Sequence, residues 1–266
     1  MTPMRPSLLR ILLPAFTGAF FLAAWYAIHA FLSEDTLFLL PTPGAILEAF
    51  RDHAPALATA SLNTTKGALL GFALAILVSL VSATVLSLSP LLRLSLYPYL
   101  MILQMTPVIV IAPILVLWVG AGLPSVVAIT FLICFFPLVV NTTQGLISTD
   151  RNLVELFRSY RATRAQQLLH LRLPAALPYF FTGLRIAATL APIGALVGDY
   201  TAGSSAGDGG GLGFQALIYS SRAQYPALFA TAVVTCILGF LFVAVVIALA
   251  HLTLRHWHDS FDLSDR

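Results

Sequence analysis

Charge is scarce in this chain. Charged side chains make up 9% of its 266 residues and hydrophobic ones 59%, with a mean hydropathy of +0.91. Soluble domains carry about 25% charged residues. A surface wetted on all sides is therefore excluded, and the chain reads as an all-α, polytopic membrane protein. The net charge of +3 is small and the arginines lie beside apolar runs, which leaves no basic face for nucleic acid. Cysteine is limited to Cys134 and Cys236. Both fall in apolar runs and are expected to be inert buried thiols, not a disulfide or redox pair. Catalytic signatures are missing as well: there is no H-E-x-x-H, no G-x-S-x-G and no C-x-x-C. The glycine-rich stretch from Gly203 to Gly213 lacks the lysine of a phosphate-binding loop and is expected to be a flexible external loop. His256 and His258 read as a solvated basic tail and not a metal site. No catalytic or metal-ligating residue is assigned.

What the chain does have is six long apolar runs, at about Leu8 to Leu32, Leu62 to Leu88, Leu96 to Val119, Ser125 to Leu146, Pro178 to Tyr200 and Pro226 to Leu254. Each is long enough to cross a bilayer as a helix. No composition shift marks a second domain, so residues 1–266 are expected to form one transmembrane unit. The first run is too long for the apolar stretch of a signal peptide and has no clear cleavage site, which makes it a retained span. With six spans both termini share a side. That side holds Arg5, Arg10, Arg93, five arginines of the central loop, Arg255 and Arg266, against Arg51 and Arg222 opposite. The bias puts both termini and the central loop in the cytoplasm. Glu34, Asp35, Glu48 and Asp52 collect on the outer side, in a segment expected to include a short surface helix from near Pro43.

The central loop, residues 147–176, has the grammar of two helices. Asp150 or Asn152 can cap the first, with Glu155 in its early turns where the dipole favours a carboxylate. Leu153, Leu156, Phe157 and Tyr160 then share one face. Thr163 followed by Gln166 matches a capping box and opens a second helix, whose Leu168, Leu169 and Leu171 are expected to pack back on the membrane domain. Leu173 precedes Pro174, so that helix is expected to stop there.

Glu155, Ala162, Leu173 and Pro174 fall at the spacing of the EAA loop of ABC importer inner-membrane permeases. Further matches are Gly67 to Phe72, Pro107 with Pro113, Trp118 and Gly120, the run Phe135-Phe136-Pro137, Asn141, and L-P-A-A-L-P-Y-F-F-T-G-L-R-I-A from Leu173 to Ala187. Over about residues 62–254 the chain resembles the permeases of the nitrate, sulfonate and taurine group. The resemblance implies a six-span fold with a cytoplasmic coupling helix, docked through Leu153, Glu155, Phe157, Tyr160, Arg161, Ala162 and Thr163 on a separate ABC ATPase. ATP and Mg would be held by that ATPase, with no cofactor on this chain. It also implies an external substrate-binding protein, pairing with a second copy, and a small-molecule substrate. Two positions depart from the pattern: Leu156-Phe157 replaces Ala-Ala, and Arg161 replaces a glycine that permits a left-handed turn. Either the bend is made differently, or Arg161 reaches an acidic surface on the partner, or the change is simply tolerated.

Polar residues at membrane depth are candidates for the translocation path. Gln104 and Thr106 precede Pro107, which frees a backbone carbonyl; Asn141, with Thr142, lies nearer the cytoplasmic end of its span. Arg185 and Asp199 share the fifth run, where a central charge costs roughly 2.5–3.5 kcal/mol. Arg185 is expected to snorkel or to bind backbone carbonyls. Asp199 is expected to be solvated or to face the path. A secondary transporter or a membrane-embedded enzyme is the competing class, but midplane coupling carboxylates and inverted repeats are not evident. The run Ala191 to Tyr200 looks closer to permeases for hydroxymethylpyrimidine-type thiamine precursors than to sulfonate, taurine or nitrate members.

Overall fold

The computed structural model describes residues 6–33, 36–203 and 210–254. Its elements are helical: α1 (Pro6–Phe31), α2 (Pro43–Asp52), α3 (Ala54–Leu88), α4 (Pro90–Gln104), α5 (Val108–Val119), α6 (Leu123–Ile147), α7 (Arg151–Ser159), α8 (Arg164–Gln167), α9 (Leu173–Ala202), α10 (Leu212–Ser221) and α11 (Tyr225–Leu254). No strand occurs among the described residues. Five helices are long and apolar enough to span a membrane, and α4 with α5 forms a sixth, bent pair. The expected surface helix from Pro43 is present. Thr42 caps it by accepting the Ala45 N–H, and Pro43 sits where a missing N–H costs nothing.

The core is built on α6, which packs along α9 on one side and α3 on the other. Without water to expel, helices in lipid associate through close packing, and small residues let their backbones approach. The buried stripe of α9 runs Gly183, Ala187, Ala191, Gly194, Ala195, Gly198 and Ala202. A Cβ at Gly194 would lie 2.9 Å from the Thr130 Cα, and one at Gly198 would lie 2.7 Å from the Val126 Cα. Either would force the two helices apart. By contrast α1 stands at the periphery, touching the rest through a Trp25–Phe229 ring contact and the Trp25 indole N–H to Pro41 O. Phe16, Phe20, Phe21 and Phe31 are left on its outer surface, as expected of a span that faces lipid.

Three expectations need correction. The third run is not one straight helix: α4 and α5 meet at a 102° bend. The cause is local. Pro107 has no N–H to give and pushes Thr106 away from helical geometry, so Met105 and Thr106 close back on Ile102 and Leu103 while Pro107 takes up an extended ψ of 103° as the cap of α5. The helices are about 22 and 18 Å long, each short of a bilayer by itself. Second, the loop's second helix does not stop at Leu173. It runs on through Pro174 into α9, because the turn at Leu168–Arg172 is widened to a π-helix in which Leu173 N donates to Leu168 O. The wider turn accommodates the proline ring. Third, Cys236 is exposed on α11, whereas Cys134 is buried as expected.

Candidate functional site

Two surfaces answer to the predicted site residues. The first is the loop between α6 and α9. Asp150 caps α7 by accepting the Asn152 N–H at 2.8 Å, and Arg151 pairs with Glu155 at 3.0 Å across one helical turn. Leu153, Leu156 and Tyr160 lie on the face expected of them and are exposed, Tyr160 by 81%. The helix ends in a two-bond C-terminal cap, Arg161 N to Arg158 O and Ala162 N to Phe157 O. That cap requires a left-handed residue, and Arg161 supplies it at φ +54°. The bend is therefore made in the glycine geometry despite the arginine, at a cost of order 1 kcal/mol.

α8 then opens with the capping box. Thr163 Oγ1 accepts the Gln166 N–H, and Gln166 Oε1 accepts the Thr163 N–H. Between α7 and α8 lies a groove of about 420 Å³ lined by Leu156, Phe157, Tyr160, Ala162, Gln166 and His170. Leu168 and Leu171 pack back on the membrane domain, but Leu169 is 58% exposed. Residues two apart on a helix lie on nearly opposite sides, so Leu169 does not share the inward face of Leu171.

The second group is the polar residues within the apolar spans. Gln104 ends α4 exposed at the α4–α5 break, with half-buried Thr106 beside it. Asn141 is half-buried; its Nδ2 donates to Pro137 O at 2.8 Å, beside Gly183 of α9. Thr142 is buried within α6. Among the described residues Arg185 bonds no backbone carbonyl and pairs with no acid. It is exposed, on a face of α9 shared with Thr182, Thr189, Ile186 and Ile193 and opposite the small-residue stripe. The rise of a helix puts Arg185 and Gln104 about 20 Å from the loop-side ends of α9 and α4.

Asp199 behaves differently from either expectation. It is 3% exposed, neither solvated nor open to a path. Its Oδ2 accepts the Thr64 hydroxyl at 2.5 Å, its carboxylate accepts the Gly213 backbone N–H, and Thr64 Oγ1 in turn accepts the Leu212 N–H at 2.8 Å. The carboxylate thus caps the N-terminus of α10 from another helix, where an anion is stabilised. The glycine cluster exists partly for this contact. A Cβ at Gly211 would collide with the Asp199 carboxylate, and one at Gly213 would come 2.8 Å from Tyr200 N. Gly210 to Gly213 are therefore close-packed and not a flexible loop, while residues 204–209 lie outside the described residues, as do Glu34, Asp35 and the His256–His258 tail. Sequence reasoning missed Thr64; its one signal was a polar residue at the start of an apolar run.

Residues 67–257 match the family described as the binding-protein-dependent transport system inner membrane component. The chain belongs to this family. It is a membrane-spanning ABC transporter permease, a transport subunit. It is 36% identical over 222 residues to a probable ABC transporter permease protein of Haemophilus influenzae, covering 84% of this chain and 88% of that one. A formylaminopyrimidine transport permease protein of Halalkalibacterium halodurans is 37% identical over 218 residues, 82% of this chain and 85% of the relative. A putative aliphatic sulfonates transport permease protein of Bacillus subtilis is 28% identical over 262 residues, 95% and 88% of the two chains. The permease's central loop and the faces of α4, α6 and α9 all lie within the matched region, whereas α1 precedes it.

Proposed function

We propose that the permease works as a pair of identical copies in a bacterial inner membrane, with both termini and the α7–α8 loop in the cytoplasm. Each loop docks on an ABC ATPase, which holds ATP and Mg, and an external binding protein delivers the solute. The observation that carries this reading is the apolar face of exposed Leu153, Leu156 and Tyr160 with half-buried Phe157, on a loop that also carries five arginines. Such a face has no reason to be in water unless a protein covers it. Glu155, Arg161, Ala162 and Thr163 complete the contact by fixing the α7–α8 angle. Closure of the ATPase pair on ATP would tilt this bent unit, and the continuous π-turn would carry the motion into α9 without a hinge.

The path runs between the copies along Gln104, Thr106, Asn141 and the Arg185 face of α9. A charge at this depth, with no protein partner, is expensive beside lipid and stable beside water. Asp199 is not part of that path. For the solute, the likeness to a formylaminopyrimidine permease over most of both chains favours a pyrimidine of the thiamine-precursor type. A sulfonate is the second reading, favoured by the unpaired guanidinium of Arg185, which suits an anion.

The test is uptake into proteoliposomes with the cognate ATPase and binding protein, using hydroxymethylpyrimidine, formylaminopyrimidine and taurine as solutes. ATP-dependent uptake of a pyrimidine is expected. ATP-independent uptake would remove the ABC reading, and uptake of taurine alone would select the sulfonate.

A further inference from the structure

A pocket of about 490 Å³ lies where the loop meets the membrane domain, bounded by the ends of α3 and α6 and by α4, α7, α8 and the π-turn. Four arginines line it, Arg93, Arg158, Arg164 and Arg172, and no lining residue is acidic. Nor are the loop's own carboxylates available. Asp150 caps α7 and Glu155 pairs with Arg151, the one ion pair among the described residues. Arg93 and Arg172 are half-buried, so their charges are partly desolvated and mutually repelling without a counterion. Gathering like charges in this way is unfavourable unless an anion sits among them. The rest of the wall is Ser87, Leu88, Pro90, Ile147 and Gln167; Leu88 and Ile147 stand at the ends of two spans, which sets the pocket at headgroup level.

We propose that this pocket binds the phosphate of an anionic phospholipid headgroup, with Arg93 and Arg172 as its inner ligands, Arg158 and Arg164 closing over it, and the acyl chains running down past Leu88. A phosphodiester offers two acceptor oxygens to guanidinium forks, and its acyl part can run along Leu88 and Ile147. The bound lipid would brace the root of α7–α8 against the membrane. The assignment holds whichever side of the membrane the loop faces, so it stands or falls apart from the proposed docking.

The experiment uses the full chain in nanodiscs of mixed phosphatidylglycerol and phosphatidylcholine, with lipid retained after detergent extraction counted by native mass spectrometry. The intact permease should retain phosphatidylglycerol preferentially. Replacing Arg93→Gln together with Arg172→Gln should lower that preference by about thirtyfold, while Arg51→Gln with Arg222→Gln, far from the pocket, should leave it unchanged. If the first pair fails to fold, the intact chain still tests the claim, since its preference should weaken as salt is raised. Retention that is equal in every variant, or insensitive to salt, overturns the proposal. Displacement of the lipid by millimolar inorganic phosphate would assign the pocket to the free anion instead. Displacement by the ATPase, with ATPase binding lost in the double variant, would assign it to a carboxylate of that partner.

Discussion

The two ends of one helical rod, from Arg164 to Ala202, treat charge in opposite ways. At the loop end exposed Arg164 and half-buried Arg172 line a basic pocket, beside apolar side chains that no described element covers. At the far end Asp199 is closed in by Thr64, Gly211 and Gly213 and spends its charge holding α10 in place. An ionisable residue in a membrane protein is thus a functional candidate only once its partners are known. Open charge waits for another molecule; enclosed charge has already found its partner within the fold.

Substitutions should separate the two ends. The largest effect is expected from Phe157→Asp, which puts a carboxylate in the α7–α8 groove: co-purification with the ATPase should fall by about thirtyfold or more and uptake should vanish, with insertion intact. Asp199→Ala should do the reverse. It leaves Thr64 with Ala60 O as its acceptor but strands the Gly213 N–H in a buried site, at about 1–3 kcal/mol, which thermal unfolding in detergent would register, while the ATPase should still bind. Loss of ATPase binding with unchanged stability would erase the contrast between the ends.

Smaller changes sharpen the middle and the bend. In a Cys134→Ala, Cys236→Ala background, Gln104→Cys, Thr106→Cys and Arg185→Cys should react with a hydrophilic thiol reagent faster than Leu115→Cys and Leu238→Cys. The rates should also shift when nucleotide traps the ATPases. A position that labels no faster than the controls in any nucleotide state does not face the path. The smallest effect belongs to Arg161→Gly, which relieves a left-handed non-glycine residue and should stabilise the loop by about 1 kcal/mol with uptake equal or better. A salt-sensitive loss of ATPase binding in that variant would mean that Arg161 pairs with an acid on the partner.

Much of this was legible in the sequence, for physical reasons that differ from element to element. Long apolar runs announce spans because lipid tolerates little else. The N-caps at Asp150 and Thr163 were readable because capping is a contact within three residues. What escaped depended on geometry beyond that range. The bend at Pro107 could be guessed as a freed carbonyl but not as a turn of 102°, and Pro174 looked like a stop because a π-turn leaves no mark in composition. The enclosure of Asp199 needed Thr64, which lies on another helix, and the glycines that fit around the carboxylate read by themselves as a loose loop. Arg185 was noticed, but which side of α9 it occupies follows only from the small-residue stripe packing on α6.

The central claim, that the apolar face of α7 is the ATPase contact, is tested most directly by site-specific cross-linking. A photo-reactive maleimide is placed on Tyr160→Cys, or on Leu62→Cys at the opposite end of the bundle, in the cysteine-free background with the cognate ATPase present. The account predicts an ATPase adduct from position 160 and none from position 62. Absence of an adduct at 160 from an assembled complex, or equal yields from both positions, would contradict it.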